Sequence, residues 1–325
     1  MTDTLFVFNP SAQSGATGAR WDEIARYADE LEIAYRRVDT LPDEGTVDLV
    51  AAQAATRQYR TVAAVGGDGT VNEVIRGLMR AQDALGVPRQ EMPALALIPA
   101  GTGNNVAKSF QIPRDAGLRK AVETVRFGAD FPLDLGRVDE HYFADAFSIG
   151  VDSLILHERN LERRKVQRNP VLRQFLRDYA LYAYVSLRFP WLSRNVRADL
   201  VLDGEPLHVP DLTNLVVNNT RIYAGEFVFE DDTRANDGLL DVVVFRGWRE
   251  YLTRFVLAAR ITPINERMLN KMLRRRTATY RVKTLKVRLE QSMSSQLDGE
   301  MYRAGTSFDV EVVPRALTLK TPVAS

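Results

Sequence analysis

The dominant local pattern in this sequence is a buried strand that stops at glycines and leads directly into a helix. Residues 61–65 form an apolar run of strand length, and residues 66–73 read Gly-Gly-Asp-Gly-Thr-Val-Asn-Glu. Glycines allow a sharp turn and a close approach of the backbone to a ligand. The helix start that follows offers free N–H groups and the positive end of the helix dipole, which together favour phosphate. The alternative is an ordinary strand-to-helix turn in which Asp68 or Thr70 caps the helix.

Two further loops have the same form. Residues 94–98 form a buried strand that ends at Pro99, and residues 101–105 read Gly-Thr-Gly-Asn-Asn. Residues 4–9 form an apolar run that leads into a loop rich in Ser and Gly. Because the carboxyl ends of parallel strands share one edge of a sheet, we expect all three loops to lie at a common ligand-binding edge. The sequence lacks G-x-x-x-x-G-K-[ST], which excludes the usual NTPase loop, and it lacks G-x-G-x-x-G after the first strand, which argues against a nicotinamide-binding domain.

The chain divides into two parts by its pattern of elements. Up to residue 130, strands alternate with amphipathic helices, which predicts an α/β nucleotide-binding domain (1–130) with a parallel sheet and glycine-rich loops. From residue 131, strand-length runs and Asp-Gly pairs predict a β-rich second domain (131–314), antiparallel and sandwich-like. We expect the tail, residues 315–325, to pack back on the first domain. Within the second domain, we predict a helix over 170–189, separate strands over 207–209 and 212–218, and a loop over 291–296.

Composition narrows the chemistry. The chain has no cysteine, which excludes disulfides and thiolate sites, and its three histidines are widely separated, which argues against a zinc enzyme. Without a recognisable secretory or membrane-spanning stretch, we expect a cytoplasmic protein, and we expect no nucleic-acid partner. Residues 155–190 and 260–288 are rich in Lys and Arg. These stretches are either solvated faces or a surface that meets anionic lipid.

Five motifs occur in an order and spacing that resemble the diacylglycerol kinase catalytic-domain family, which includes bacterial diacylglycerol kinase-like and sphingosine kinase-like lipid kinases. They are Asn-Pro at 9–10, Gly-Gly-Asp-Gly-Thr at 66–70, Pro-Ala-Gly-Thr-Gly-Asn at 99–104, Asp-Gly-Leu-Leu-Asp at 237–241 and Asp-Gly-Glu at 298–300. The resemblance implies ATP-dependent, Mg²⁺-assisted phosphorylation of a lipid hydroxyl, that of diacylglycerol or a related lipid alcohol, in a cleft between the two domains. The open alternatives are an NAD kinase-like small-molecule kinase and a catalytically silent nucleotide-binding regulator.

The resemblance also implies which residues hold the nucleotide: Asn9, Pro10, Ser11, Thr40, Gly66, Gly67, Asp68, Gly69, Thr70, Val71, Asn72, Gly101 and Thr102. The carboxylate of Asp68 suits a Mg²⁺ ion that bridges the phosphates, because Mg²⁺ binds one or two carboxylates together with phosphate oxygens. For Thr40, a polar residue at the end of a strand is nearly as good an explanation. The sequence departs from the family at Asp145, where many members have Asn, and in residues 11–15, which contain no lysine.

Asp298 and Glu300 are the predicted catalytic residues. Phosphoryl transfer needs a base that accepts the proton of the attacking hydroxyl. Residues two apart on an extended segment point the same way, so both carboxylates would face one cleft. The resemblance assigns the base to Glu300 and makes Asp298 its partner. The alternative is an Asp-Gly hairpin turn with an incidental acid beside it.

A second cation site is implied in the β-rich domain. There the carboxylate of Asp237 and the backbone carbonyls of Arg234 and Leu239 would bind Mg²⁺ or a similar hard cation, which prefers oxygen ligands. The alternative is a plain Asp-Gly turn before the next strand. Because the lipid acceptor lies in a membrane, we expect transient, peripheral contact with the membrane surface. Bacterial members of the family are often dimers, so the resemblance also allows a homodimer.

Overall fold

The computed structural model describes residues 3–11, 17–101, 103–114, 117–158, 195–224, 227–230, 232–251 and 279–323. The helices are α1 (Thr17–Glu30), α2 (Gly45–Ala55), α3 (Asp68–Leu85), α4 (Asn105–Ser109) and α5 (Leu118–Phe127). Residues 151–158 and 247–251 are also helical. The strands are β1 (Thr4–Phe8), β2 (Tyr35–Asp39), β3 (Thr61–Gly66), β4 (Ala94–Pro99), β5 (Ala129–Val138), β6 (His141–Phe143), β7 (Ala146–Gly150), β8 (Val196–Leu202), β9 (Glu205–Asn218), β10 (Leu240–Arg246), β11 (Thr279–Val282), β12 (Thr284–Leu297) and β13 (Glu300–Thr321). The helix predicted over residues 170–189 lies outside the described residues.

The first part of the chain is built on parallel strands in the order β2–β1–β3–β4. Successive side chains of a strand point to opposite faces. Leu5 therefore belongs to one core with Val50 of α2 and Leu78 of α3, whereas Phe6 belongs to another with Ile24 of α1 and residues of α5. Because helices cover both faces, β1, β3 and β4 are buried along their whole length.

Two long strands join the shorter strands of the β-rich part into a closed circuit. β9 and β12 have 14 residues each, and each pairs with β8 over one half and with β7 over the other. These four strands form an antiparallel circuit around an apolar core that includes Phe147, Leu215 and Val287. β10 and β11 extend the sheet beyond β9. The described residues of this part are thus β-rich and antiparallel, as the sequence predicts.

The predicted loop over residues 291–296 is wrong, because these residues lie within β12. Their polar composition misleads, since two of the polar side chains are buried and hydrogen-bonded inside the fold. The hydroxyl of Ser295 donates to the carbonyl oxygen of Arg303 at 2.6 Å, and the amide of Gln296 donates to Ser148 Oγ at 2.9 Å. A strand tolerates buried polar side chains when their hydrogen bonds are satisfied.

The two strands predicted over residues 207–209 and 212–218 are one strand, β9. Pro210, which suggested an interruption, lies at the register shift where β9 passes from Val209 to Leu212 along its partner β8. A proline has no N–H to donate, and such irregular positions tolerate it. The chain therefore continues through the proline without a turn.

The last strand connects the two parts of the molecule. β13 pairs with β12 and then with β5, and a register shift separates Val313 from Leu317. Beyond that shift, Leu319 pairs in parallel with Leu95 of β4. One continuous sheet therefore runs through both parts. No helix among the described residues has both the length and the apolar character that crossing a bilayer requires.

Candidate active site

The ends of the parallel strands meet at one edge of the sheet. There, Asn9 links the loop after β1 to the turn after β3 by hydrogen bonds. Its backbone N–H donates to the carbonyl oxygen of Val65 at 2.9 Å, and its side-chain amide donates to Thr70 Oγ1 at 3.0 Å. Its side-chain oxygen accepts the N–H of Ser11 at 2.9 Å. The loop after β1 is thereby tied to the first turn of α3. Pro10 and Ser11 are exposed in this loop.

The two glycine-rich turns are in backbone contact. A Cβ atom placed on Gly101 would lie 2.4 Å from the Cα of Gly67, and one placed on Gly66 would lie 2.4 Å from Thr70 Oγ1. Only glycine fits at such distances, so the glycines allow the turn after β3 and the turn after β4 to pack together. The backbone N–H of Ala100 donates to the carbonyl oxygen of Gly66 at 2.8 Å, which joins the turns further.

Other predicted nucleotide residues are distributed around this edge. Thr40 follows β2 and donates its backbone N–H to the carbonyl oxygen of Phe8 at 2.8 Å, so it lies beside the end of β1. The side chain of Val71 is buried in the core that includes Val74, so any contact that Val71 makes with a ligand is through its backbone. Thr102 lies outside the described residues.

Asp68, the first residue of α3, connects the two turns. Its Oδ1 accepts the N–H of Asn105, the first residue of α4, at 2.8 Å. A Cβ placed on Gly103 would lie 2.6 Å from Asp68 Oδ2 and 3.7 Å from Asn105 Oδ1, so both oxygens line the same loop. Burial, reinforced by the negative charge of Asp298, raises the pKa of Asp68 to about 6.

Asn105 joins this edge to the β-rich part. Its amide donates to Asp145 Oδ2 at 2.7 Å, and the hydroxyl of Thr220 donates to Asp145 Oδ1 at 2.5 Å. Asp145 is fully enclosed, and burial together with the charge of Asp298 raises its pKa well above the ordinary value. Asn105 Oδ1 is also buried, and it has no hydrogen-bond partner within the part of the chain that the structure describes.

The segment of Asp298 is a tight turn and not extended. Asp298 and Gly299 have φ angles of 47° and 83°, and they connect β12 to β13 in a two-residue hairpin. The premise that two side chains on an extended segment point the same way is therefore wrong here. The hairpin alternative describes the backbone correctly, and the role of each carboxylate depends on what it contacts.

The carboxylate of Asp298 is buried and accepts four hydrogen bonds. Oδ1 accepts the backbone N–H groups of Asp145 and Ala146 at 2.8 and 3.0 Å. Oδ2 accepts the N–H of Ala144 at 2.9 Å and the side-chain amide of Asn72 at 3.0 Å. Burial raises the pKa of Asp298, although these hydrogen bonds favour its charged form. Asp298 thus holds the hairpin against β7 and against α3 of the other part of the molecule.

Glu300, by contrast, is exposed at the start of β13. A Cβ placed on Gly69 would lie 3.6 Å from Glu300 Oε1, which puts this carboxylate beside the first turn of α3. Burial raises the pKa of Glu73, one turn further along α3, and the charge of Glu300 makes a smaller contribution in the same direction. The first turn of α3 and Glu300, which belong to different parts of the molecule, are therefore close to each other at Gly69.

Sequence reasoning missed a buried polar network behind the hairpin. Gln296 Oε1 accepts the N–H of Gly299 at 2.7 Å, and the Gln296 amide donates to Ser148 Oγ and to Tyr223 Oη. The Tyr223 hydroxyl donates in turn to Asp152 Oδ2 at 2.8 Å. A local clue is that Gln296 stands three residues before Gly299, the turn residue whose N–H it accepts. Ser148 and Tyr223, to which its amide donates, lie far away in the sequence and give no local signal.

The predicted cation loop in the β-rich part is held by side chains. Asp237 Oδ1 accepts the N–H of Leu239 at 3.0 Å, and Asp237 Oδ2 forms an ion pair with the guanidinium of Arg281. Arg234 belongs to the same loop, ahead of Gly238. Within the described ranges, no group of three His, Cys, Asp or Glu residues is arranged to hold a metal ion.

Comparison with known proteins gives a consistent result. Residues 3–138 match the family model described as the diacylglycerol kinase catalytic domain. Over 256 residues the chain is 28% identical to the "Diacylglycerol kinase" of Bacillus subtilis, covering 79% of this chain and 76% of that protein. Over 327 residues it is 26% identical to the "Probable lipid kinase YegS-like" of Yersinia enterocolitica, covering 99% of this chain and 98% of that protein. The crystal structure of a diacylglycerol kinase from Bacillus anthracis has the same fold, with a TM-score of 0.70 at 16% identity, covering 98% of this chain and 97% of that one.

Proposed function

We propose that this chain, whose residues 3–138 match the family model described as the diacylglycerol kinase catalytic domain, is an ATP-dependent kinase that phosphorylates a lipid hydroxyl. The observation that supports the proposal most is the position of Glu300. Its Oε1 lies 3.6 Å from where a Cβ on Gly69 would be. A proton acceptor is therefore available beside the glycine-rich turn that would bind the transferred phosphate.

The phosphates of ATP would bind at the start of α3. The N-cap of this helix is Gly67, which has no side chain to accept the first helical N–H groups. Such groups, together with the helix dipole, suit phosphate oxygens. Asn9 and Gly101 border the same place, from the loop after β1 and the turn after β4. The close packing of the glycines lets the backbone itself form this surface.

A Mg²⁺ ion fits the residues beside that turn. Asp68 Oδ2 and the buried Asn105 Oδ1 line the loop at Gly103, and Asn105 Oδ1 has no protein partner among the described residues. A carboxylate and an amide oxygen are ligands that Mg²⁺ accepts, with phosphate oxygens completing its shell. When bound, the ion would neutralise negative charge on the phosphates.

Glu300 and Asp298 then have different roles. The lipid hydroxyl oxygen attacks the γ-phosphorus, the bond to the β–γ bridging oxygen breaks, and ADP leaves with that oxygen. Glu300 accepts the proton that the hydroxyl loses. Asp298 has four donors on its carboxylate, so it positions the hairpin that presents Glu300 and does not take up the proton.

Diacylglycerol is the leading candidate for the acceptor, since two of the similar proteins are named for that activity.

We expect transient binding at an anionic membrane surface, where each Lys or Arg near the surface contributes about 1 kcal/mol. Vesicle binding should therefore weaken as salt is raised, because exposed charges are screened. Binding that does not respond to salt would contradict a charge-based membrane contact. Most of residues 155–190 and 260–288, the basic stretches, lies outside the described residues.

The decisive experiment is transfer of labelled phosphate from ATP to diacylglycerol in mixed micelles, with NAD as a parallel acceptor. We expect labelled lipid and no labelled NAD. Glu300→Gln should lower turnover by about 100-fold or more without changing the affinity for ATP, since general base catalysis contributes about 10²–10⁴-fold. Glu205→Gln is the matched control, because Glu205 follows another Asp-Gly pair in an exposed hairpin. Wild-type turnover in Glu300→Gln, or transfer to NAD alone, would overturn the proposal.

A further inference from the structure

The loop of residues 234–239 carries the Asp-Gly pair for which the sequence predicts a cation. Both oxygens of the Asp237 carboxylate already have a donor: the N–H of Leu239 on one, at 3.0 Å, and the guanidinium of Arg281 on the other. The side chain of Asp237 is 23% exposed and that of Arg281 is 45% exposed, so only the carboxylate side of this pair is partly shielded from water. A cation at Asp237 would have to displace this partner or lie beside its positive charge.

Arg281 contacts a second carboxylate as well. It lies on β11 directly opposite Asp241 of β10, and its Nε is 3.2 Å from Asp241 Oδ1. Asp241 is buried, with 4% of its surface exposed. A planar guanidinium can bind two acceptors in fixed directions. One side chain therefore links the loop, through Asp237, to the start of β10, which is how a bridging cation would act.

The opposite side of the loop is fastened by Asp134 of β5. Asp134 Oδ2 accepts the N–H of Gly238 at 2.7 Å, and the Asp134 N–H donates to the carbonyl oxygen of Ala235 at 2.7 Å. Asp134 is fully buried. Charge-assisted hydrogen bonds of this kind are stronger than neutral ones. The loop is thus fixed on both sides by protein groups alone.

We propose that Arg281 takes the place of a divalent cation at this loop, so that the fold of the β-rich part does not depend on a metal ion. The carboxylates of Asp237 and Asp241 form a site for a hard cation, and the guanidinium fills it. The inference does not depend on the proposed kinase activity, since it concerns only what holds residues 234–239. It predicts that removal of Arg281 opens a cation site that the wild-type chain lacks.

The test is thermal unfolding of the full chain without nucleotide, in EDTA and in millimolar Mg²⁺ or Ca²⁺. The wild-type midpoint should be nearly the same in all three conditions. Arg281→Met should unfold about 5 °C lower in EDTA, a shift that a loss of one or two charge contacts would cause in a chain of this size. Mg²⁺ or Ca²⁺ should restore most of that loss. Counting bound Mn²⁺ by electron paramagnetic resonance should give one more ion per chain in the variant than in the wild type.

Two further variants make the outcome unambiguous. Arg288→Met removes an exposed arginine that pairs with Asp309 at 3.3 Å on the same sheet, and it should show no metal response. Arg281→Lys keeps a positive charge and should fold even if Arg281→Met does not, with a midpoint that Mg²⁺ leaves unchanged. A wild-type midpoint that rises with Mg²⁺ as much as that of Arg281→Met would overturn the proposal. A destabilised Arg281→Met that neither Mg²⁺ nor Ca²⁺ restores would overturn it equally.

Discussion

The molecule contains two hairpins with the same tripeptide. Asp203-Gly204-Glu205 connects β8 to β9, and Asp298-Gly299-Glu300 connects β12 to β13, each directly after a leucine. Their backbones are nearly identical, with φ angles of 50° and 94° in the first and 47° and 83° in the second. In both, the aspartate and the glycine form the two-residue turn that Asp-Gly favours.

The two hairpins differ in what the aspartate contacts. Asp203 is exposed, and its carboxylate accepts the N–H groups of Lys283 and Thr284 from the neighbouring strand connection. Asp298 is buried against Ala144–Ala146 and is hydrogen-bonded to Asn72 of the other part of the molecule. The tripeptide therefore determines the turn, and only the surroundings of the turn can make its glutamate catalytic.

The largest effect should come from Asp298→Ala. Four donors would lose their acceptor, so we expect the free energy of unfolding to fall by about 3 kcal/mol or more. Turnover should fall about 100-fold or more, because Glu300 would no longer be held beside α3. Denaturant unfolding and the phosphate-transfer assay measure the two effects. Normal turnover in Asp298→Ala would show that the contacts of Asp298 do not distinguish the two hairpins in function.

A smaller effect is expected from Gln296→Leu. This change removes the acceptor for the N–H of Gly299 and loosens the turn without touching either carboxylate. We expect kcat to fall about tenfold while KM for ATP stays constant, since a small misplacement of a catalytic group is costly. Gln291→Leu, an exposed position on the same strand, is the matched control. A parallel change in KM for ATP would mean that Gln296 acts on the nucleotide edge instead.

The pH dependence of activity provides a third way to compare Asp298 with Asp203. Since the pKa of Asp68 is raised to about 6, first by burial and then by the charge of Asp298, Asp68 is protonated below that pH and cannot bind a cation well. We therefore expect kcat/KM to fall about tenfold per pH unit below 6. Asp298→Asn removes one of the two causes and should move this limb to lower pH, whereas Asp203→Asn should not. An acid limb already near 3.8 in the wild type would contradict this.

The smallest effect should come from Asp203→Ala. Its carboxylate is exposed, and solvent can replace it as acceptor for Lys283 and Thr284. The free energy of unfolding should fall by only about 1 kcal/mol, and turnover should be unchanged. Denaturant unfolding and the transfer assay again provide the measurement. A loss of turnover comparable to that of Asp298→Ala would remove the distinction between the hairpins.

The sequence predicts those features that are determined by residues close together in the chain. The glycine-rich turn at residues 66–69 follows from an apolar strand that stops at glycines, and β8 (Val196–Leu202) follows from its alternating pattern. The ordered motifs also brought Glu300 and the turn after β3 into one proposed cleft. Each of these features involves neighbours in the sequence or a motif of recognisable form.

The remaining features depend on contacts between distant residues. The groups that donate hydrogen bonds to Asp298 lie 152 to 226 positions away in the sequence. The hydrogen bond from Asn105 to Asp145 likewise joins the two parts of the molecule. Polar residues in 291–296 looked like a loop because their buried partners could not be anticipated. The pair of Asp237 with Arg281 likewise appears only once β10 and β11 are adjacent.

The length of β13 has a mechanical consequence. Glu300 stands at its first residue, and the register shift near Val313 lies about 40 Å further along an extended chain. Arg315, with a φ angle of 50°, occupies that shift and donates its N–H to Asp134 at 2.6 Å. A rotation of only about five degrees at this point would move the far end of a rigid strand of that length by about 3.5 Å. Under the proposed function, the hydrogen bond between Arg315 and Asp134 would therefore support, from the far end of the strand, the position that Asp298 and the pairing with β12 give to Glu300.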